Sequence, residues 1–222
     1  MAKLIWDKAG EHGYETGVDH GVLFVASVDN AGGTSYSSGV AWNGLTTVTQ
    51  SPDGAEPTAI YADNIKYLNI LSIENFGATI EAYSCPDEFG PCDGSVELAP
   101  GVSVSQQERK KFAFSYRTRV GNDIDANAGY KLHIIYNCLA QPSERSYETV
   151  NDSPSAITLS WEVSTTPVEV NGMKPTAHLV IDSTKIKPDK LKKIEDALYG
   201  TADAPSKLLM PNDIIAIMNA AS

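Results

Sequence analysis

Residues 151–168 read Asn-Asp-Ser-Pro-Ser-Ala-Ile-Thr-Leu-Ser-Trp-Glu-Val-Ser-Thr-Thr-Pro-Val: a turn, an alternating run, and a proline stop. Ile157, Leu159, Trp161 and Val163 fall on one side of a period-two pattern, and Thr158, Ser160, Glu162 and Ser164 on the other. Successive side chains of a strand point to opposite faces, so this spacing predicts a strand with one buried face. The other face carries no group suited to catalysis. The same design recurs. Phe112, Phe114 and Tyr116 alternate with Lys111, Ala113, Ser115 and Arg117; Tyr130, Leu132, Ile134 and Tyr136 alternate with Lys131, His133 and Asn137.

Further strands are expected over 22–28, 40–48, 58–62, 78–84 and 176–182. The stretch 66–74 fits helical spacing too, but Ile65, Tyr67, Ile70 and Ile73 favour strand by residue type. Many short strands between turn formers predict a mainly β protein, a sandwich or barrel. One helix should flank it near the C-terminus. Pro188 suits a first helical position, Asp189 suits the positive end of the helix dipole, and Gly200 suits the residue after the last turn. Leu191, Ile194 and Leu198 then share one face, which should pack on a sheet, with Lys190, Lys192 and Glu195 toward solvent. A shorter helix is expected over 211–218, with Ile214, Ile217 and Met218 apolar. The organisation expected is a β domain over 1–200, including helix 188–199, followed by a C-terminal extension over 201–222.

The chain has 222 residues and a formal charge of −11. Residues 1–107 hold 3 Lys and Arg against 14 Asp and Glu, whereas residues 108–222 hold 14 of each, so the whole excess lies in the first half. Such a surface repels nucleic acid, whose affinity comes from cations that displace phosphate counterions. No apolar run approaches the roughly 18 residues of a membrane helix. The opening Met-Ala-Lys-Leu-Ile-Trp-Asp-Lys meets charge at Asp7, so no targeting segment is expected. Three cysteines, Cys85, Cys92 and Cys138, form an odd set that suits a reducing cytoplasm and free thiols. The spacing of Cys85 and Cys92 also allows a local disulfide.

No catalytic, cofactor or metal motif is legible. Asp123-Ile124-Asp125-Ala126-Asn127 begins like a calcium loop, but Ala128 stands where the turn glycine belongs and Ile134 where the bidentate glutamate belongs, so a polar turn is expected. His12, His20, His133 and His178 are scattered. Asn151-Asp152-Ser153 has the form of a glycosylation sequon and reads as a turn. Five stretches, 29–39, 50–57, 86–107, 119–129 and 140–155, read as loops. Long ordered loops are usually functional, and contact with another subunit is the simplest use. Arg109, Lys110, Lys111, Arg117 and Arg119 form the densest basic cluster. It could pair with the acidic half of a neighbouring subunit, with Lys111, Arg117 and Arg119 as candidate interface cations, or form a solvated strand face.

Several blocks resemble the major tail proteins of long, non-contractile-tailed bacteriophages (siphophages). They are Trp6-Asp7-Lys8-Ala9-Gly10-Glu11, Tyr14-Glu15-Thr16-Gly17-Val18-Asp19, Gly39-Val40-Ala41-Trp42-Asn43-Gly44-Leu45-Thr46 and Tyr61-Ala62-Asp63-Asn64-Ile65-Lys66-Tyr67-Leu68. Phe76-Gly77-Ala78-Thr79-Ile80-Glu81-Ala82-Tyr83, Pro86-Asp87-Glu88-Phe89, Cys92-Asp93-Gly94-Ser95, Phe114-Ser115-Tyr116-Arg117-Thr118, Gly121-Asn122-Asp123 and Gly129-Tyr130-Lys131-Leu132-His133 add to it. The resemblance spans roughly residues 6–200. Cys85 stands where an aromatic residue is expected in that family, and 201–222 resembles nothing in it.

The resemblance implies a β-sandwich subunit with a flanking helix, forming hexameric rings that stack into a hollow tail tube for the genome. It implies a virion location, assembly in the host cytoplasm, and contacts with tape measure, distal tail and tail terminator proteins. It brings no catalytic residue and no cofactor. The loop Ser51, Pro52, Asp53, Gly54, Ala55, Glu56 is then a candidate ring-stacking contact. Glu74 and Glu81 are candidates to line an acidic bore past which DNA does not stick; they could equally face outward. A carbohydrate-binding or adhesive β-sandwich is the alternative class, which would expose aromatic residues at one loop end.

Overall fold

A computed structural model describes residues 4–28, 34–150, 152–153 and 155–220. In chain order these form β1 (Tyr14–Val28), β2 (Thr34–Tyr36), β3 (Val40–Trp42), β4 (Leu45–Gln50), β5 (Pro57–Ala62), β6 (Ile65–Leu71) and β7 (Gly77–Ala82). Then come β8 (Val96–Ala99), β9 (Val102–Val104), β10 (Phe112–Gly121), β11 (Gly129–Ala140), β12 (Leu159–Ser164), β13 (His178–Asp182), α1 (Pro188–Tyr199) and α2 (Pro211–Asn219). The fold is mainly β, with helices at its C-terminal end.

The long strands β1, β10 and β11 pair antiparallel at the centre, from Tyr14↔Gly121 to Val25↔Phe112 and from Phe112↔Cys138 to Val120↔Gly129. Strand β13 lies along the other side of β11, from Lys131↔Asp182 to Ile135↔His178. The far end of β11 pairs instead with β12, through Leu139↔Ser164 and Ala140↔Val163, and the order continues β12–β7–β4. One strand therefore belongs to two sheets.

The change of sheet has a local cause. Asn137 has φ 48, a left-handed conformation that asparagine tolerates better than most residues. It inserts one extra residue between the pairs Phe112↔Cys138 and Phe114↔Ile135. An extra residue inverts the alternation of faces. Leu132, Ile134 and Tyr136 accordingly face the helices, while Cys138 and Ala140, of the same parity, face the second sheet. The side chain of Asn137 holds the kink, accepting from Tyr36 Oη at 2.6 Å and donating to the Thr166 carbonyl at 3.2 Å.

The central sheet is buried on both faces, giving three layers. On one side Leu23, Phe112, Phe114, Tyr116 and Ile135 meet Ile80, Trp161 and Val163 of the second sheet, with Trp42 and Phe89 between them. On the other side Val22, Phe24, Leu132, Ile134 and Tyr136 meet Leu191, Ile194 and Leu198 of α1 and Ile214 of α2. The segment after α1 is part of this packing: Leu208 and Leu209 are buried, and Ser206 Oγ accepts from the Gly39 amide at 2.7 Å.

Several expectations need correction. Strand β12 begins at Leu159, and Ile157 before it is 41% exposed, so the buried face is Trp161 and Val163 with Leu159 at its margin. Asn151 and Pro154 of the opening turn lie outside the described residues, as do 29–33 of the first expected loop; the rest of that loop includes β2. The run 40–48 divides into β3 and β4 around Gly44, which has φ 82. The loop 86–107 contains a turn of 3-10 helix over Asp87–Phe89 and the small hairpin β8–β9. Glu195 does not point freely to solvent: it accepts from Tyr130 Oη at 2.6 Å. The cysteines, by contrast, are free thiols as expected; Cys92 and Cys138 are buried, and burial pushes Cys92 up to about 12.

Trp161 is fully buried against Trp42 and Phe89, with ring centroids at 5.5 and 5.1 Å. Its Nε1 has no hydrogen-bond partner among the described residues, whereas Trp42 Nε1 donates to the Ser84 carbonyl at 2.8 Å. Trp161→Ala should therefore cost about 3–5 kcal/mol by chemical denaturation. Trp161→Phe should cost far less, because the lost packing is offset by removal of an unpaired buried donor.

Candidate assembly surface

One part of the chain leaves the body. Strands β4 and β7 pair in the second sheet, and their ladder runs outward through bonds from the Ser51 amide to the Gly77 carbonyl (2.8 Å) and between Asp53 and Asn75 (2.9 and 2.7 Å). It resumes at Ser72 to Glu56 (3.2 Å) and becomes the β5–β6 hairpin, from Pro57↔Leu71 to Ala62↔Ile65. Residues 50–76 are thus one long two-stranded arm. The ten residue-to-residue steps from Asp53 to Asp63 reach at most roughly 33 Å at about 3.3 Å per step.

The tip and the neck have distinct local chemistry. Asp63 and Asn64 both have positive φ (50 and 63), the backbone of a type I′ turn, whose twist suits a two-residue hairpin. At the neck Gly54 has φ 92, and an added Cβ would sit 2.2 Å from the Ile73 carbonyl oxygen. Only glycine fits there.

The arm is apolar on both faces. Ile60 pairs with Leu68, and Thr58 with Ile70, on one face; Leu71 stands on the other. Tyr61, Ile65, Tyr67, Leu71 and Ile73 are 64–84% exposed. A lone two-stranded ribbon is marginal in water, and contiguous exposed apolar surface marks an interaction site.

Where the arm meets the body, a column of rings begins. Phe76 stacks on His178 (4.6 Å between centroids), His178 lies parallel to His133 (5.3 Å, 8°), His133 stacks on Tyr116 (4.6 Å, 8°), and Tyr116 on Phe114 (5.7 Å). Gln50, at the root of the other arm strand, donates from Nε2 to Tyr116 Oη at 2.7 Å and lies 3.4 Å from His133 Nδ1. The sequence separates these residues so widely that His133 and His178 read as unrelated. The available signal was parity: His133 sits on the face of β11 opposite Leu132 and Ile134. A cleft runs under the neck, with Ile73, Glu74, Phe76, Lys174, Thr176 and His178 in its wall.

The residues singled out from sequence are dispersed. Ser51, Pro52, Asp53, Gly54, Ala55 and Glu56 form the arm's neck rather than a loop joining two paired strands. Glu74 is exposed and outside any strand; Glu81 lies half-buried on β7, on the face opposite Ile80 and Ala82. Arg117 Nε and Nη2 reach Asp19 of the same chain at 2.7 and 3.2 Å, and Arg119 joins them at 3.4 Å. Those two cations are engaged within the chain itself. Lys111 is exposed and makes no ion pair among the described residues. The 122–127 segment is a polar turn: Asn122 Oδ1 accepts from the amides of Ile124 and Asp125, and Asp123 accepts from the Gly10 amide at 3.0 Å.

No protein-family model matches the chain, and no curated protein matches it by sequence. Among solved structures it is similar to a chain of the anti-feeding prophage (AFP) baseplate, seen by cryo-EM with 6-fold symmetrisation, at 8% identity and a TM-score of 0.36. That match covers 76% of this chain and 95% of the other. It is also similar to the SPP1 tail tube, from solid-state NMR and cryo-EM, at 13% identity and a TM-score of 0.37, covering 86% of this chain and 96% of that one.

The tip turn yields a direct test of the arm. Asn64→Val places a β-branched side chain in a left-handed conformation, costing about 1–2 kcal/mol locally. Amide exchange in β5 and β6 should quicken by roughly tenfold, while the melting temperature of the body stays unchanged, because the arm opens separately.

Proposed function

We propose that this chain is a structural subunit of a phage tail tube, of the long, non-contractile kind, which self-assembles into stacked hexameric rings around a channel for DNA. The observation that carries this reading is the β5–β6 arm. Its apolar residues face water in the single chain, and a second copy of the chain would cover them. The blockwise resemblance over residues 6–200 supports the choice of assembly.

Ring closure needs two complementary patches on every subunit, and stacking needs two more. The arm is one. The free edge of β4, which ends the strand order, is another, since an unpaired edge is a template for a neighbour's strand. Lys111 is the candidate interface cation that makes no ion pair among the described residues. The neck residues 51–56 set the reach of the arm toward an adjacent ring. Function on this reading is shape and surface, without catalysis or cofactor. The tape measure, distal tail and tail terminator proteins are the partners it would meet, in a virion tail assembled in the host cytoplasm. Glu74 and Glu81 would contribute to an acidic wall, which keeps a passing polyanion from binding.

Negative-stain microscopy of the concentrated protein should show tubes or rings; uniform small particles would reject the proposal. The double variant Tyr67→Ser with Ile70→Ser should keep the parent's melting temperature and lose the tubes. Converting Glu74 and Glu81 together to Lys should leave tubes intact but slow DNA passage, more at low salt than at high, because screening weakens the new attraction.

A further inference from the structure

Both strands of the arm's base touch the same pair of histidines. Gln50 reaches His133 from one strand, and Phe76 covers His178 from the other. The pair is joined by a bond of 3.1 Å between His133 Nδ1 and His178 Nε2, and His133 Nε2 is 3.1 Å from Thr118 Oγ1. One tautomer of each ring satisfies these contacts: His133 Nε2–H donates to Thr118 Oγ1, whose own proton goes to Glu15 Oε2 at 3.2 Å, and His133 Nδ1 accepts from His178 Nε2–H and faces the Gln50 amide. Full protonation does not fit. It would set N–H against N–H at the shared contact, and the Gln50 amide, itself a donor, would face that same His133 N–H.

We propose that the His133–His178 pair is an acid-sensitive latch, which holds the arm to the body while neutral and releases it when protonated. This deepens the reading of the arm as the assembly element and rests on it for its purpose. The surroundings favour the neutral form. His133 is 6% exposed, between Tyr116 of β10, Thr118, and Gln50 of β4. Burial is the first cause that holds both imidazoles below the ordinary histidine range; His178 falls to about 4, with His133 beside it as the second cause. At His133 the Glu15 carboxylate of β1 works the other way, and Lys131 of β11 adds to the lowering. On the open side Glu74 and Lys174 line the cleft next to His178.

The sign follows. A released histidine takes its proton at about pH 6.5, whereas His178 in place resists until about 4. Latching is therefore fully present above about 6.5 and is lost as pH falls toward 4. The chemistry of release is local: Phe76 lifts from His178, water enters from the cleft, and the Gln50 contact breaks.

The test uses the full chain at a dilution where no assembly forms. Amide exchange is followed at about pH 7.5 and about pH 5, corrected for intrinsic rates, and the arm and neck (residues 51–77) should lose protection by roughly tenfold or more, with β10 and β11 unchanged. His178→Phe keeps a ring against Phe76 and removes the titration, so its arm should be equally protected at both pH values. A wild-type arm indifferent to pH, or a His178→Phe arm that loosens in acid as the wild type does, overturns the latch. Should that variant not fold, proton NMR of the wild-type imidazoles decides: titration below about pH 5 with a coupled shift of the Phe76 ring supports it, and two ordinary titrations near 6.5 overturn it. The readout needs no tube. A chain that forms tubes without a pH-dependent arm rejects the latch alone, and one with such an arm but no tubes rejects only the assembly reading.

Discussion

Everything in this molecule leans on a central sheet that is apolar on both faces. Most half-buried antiparallel sheets hide one face and show the other to water. Here Val22 and Phe24 face one way and Leu23 the other, and the same division holds for Ala113 against Phe112 and Phe114, and for Ile134 against Ile135. A sheet of this kind has to be covered twice. The second sheet and the pair α1–α2 are its two covers. The C-terminal residues Leu208, Leu209 and Ile214 are buried for that reason. The same layering leaves no room inside for β5 and β6, whose apolar residues consequently remain outside.

Much of this was legible in the residues. The period-two runs at 112–116 and 130–136 mark real strands, and Pro188, Leu191, Ile194 and Leu198 mark α1 with its buried face, because local alternation and helix spacing are set by neighbours a few positions apart. The reading failed where tertiary context decides. Ile157 continues the alternation of β12 in sequence, yet no partner strand extends that far. The parity of β11 breaks at Asn137, and a pattern cannot show which residue adopts a left-handed conformation. Tyr61, Tyr67 and Ile70 carry the composition of a buried strand; only the fold shows that no layer lies over them.

The candidate site was less legible than the fold, and for a related reason. The arm and its clasp are built from Gln50, Phe76, Tyr116, His133 and His178, which lie on five different segments. Their grouping depends on pairing register, through Ile135↔His178 and Tyr116↔His133, not on any spacing along the chain. Basic residues clustered at 109–119 suggested free cations, but the register Asp19↔Arg117 brings an acid directly across from one of them. A charge counted in a sequence is available to a partner only if no strand has already answered it.

The kink at Asn137 also has a mechanical side. Two sheets that touch only through side chains can slide past each other under shear, giving way contact by contact. In this chain a single backbone runs from the first sheet into the second, so a pull on either layer travels to the other along covalent bonds. Sliding would require the strand to bend at one residue, and that residue is tied on both sides by its own amide, to Tyr36 and to the Thr166 carbonyl. The body of the protein is stiff along the direction of β11, whatever load its surfaces carry.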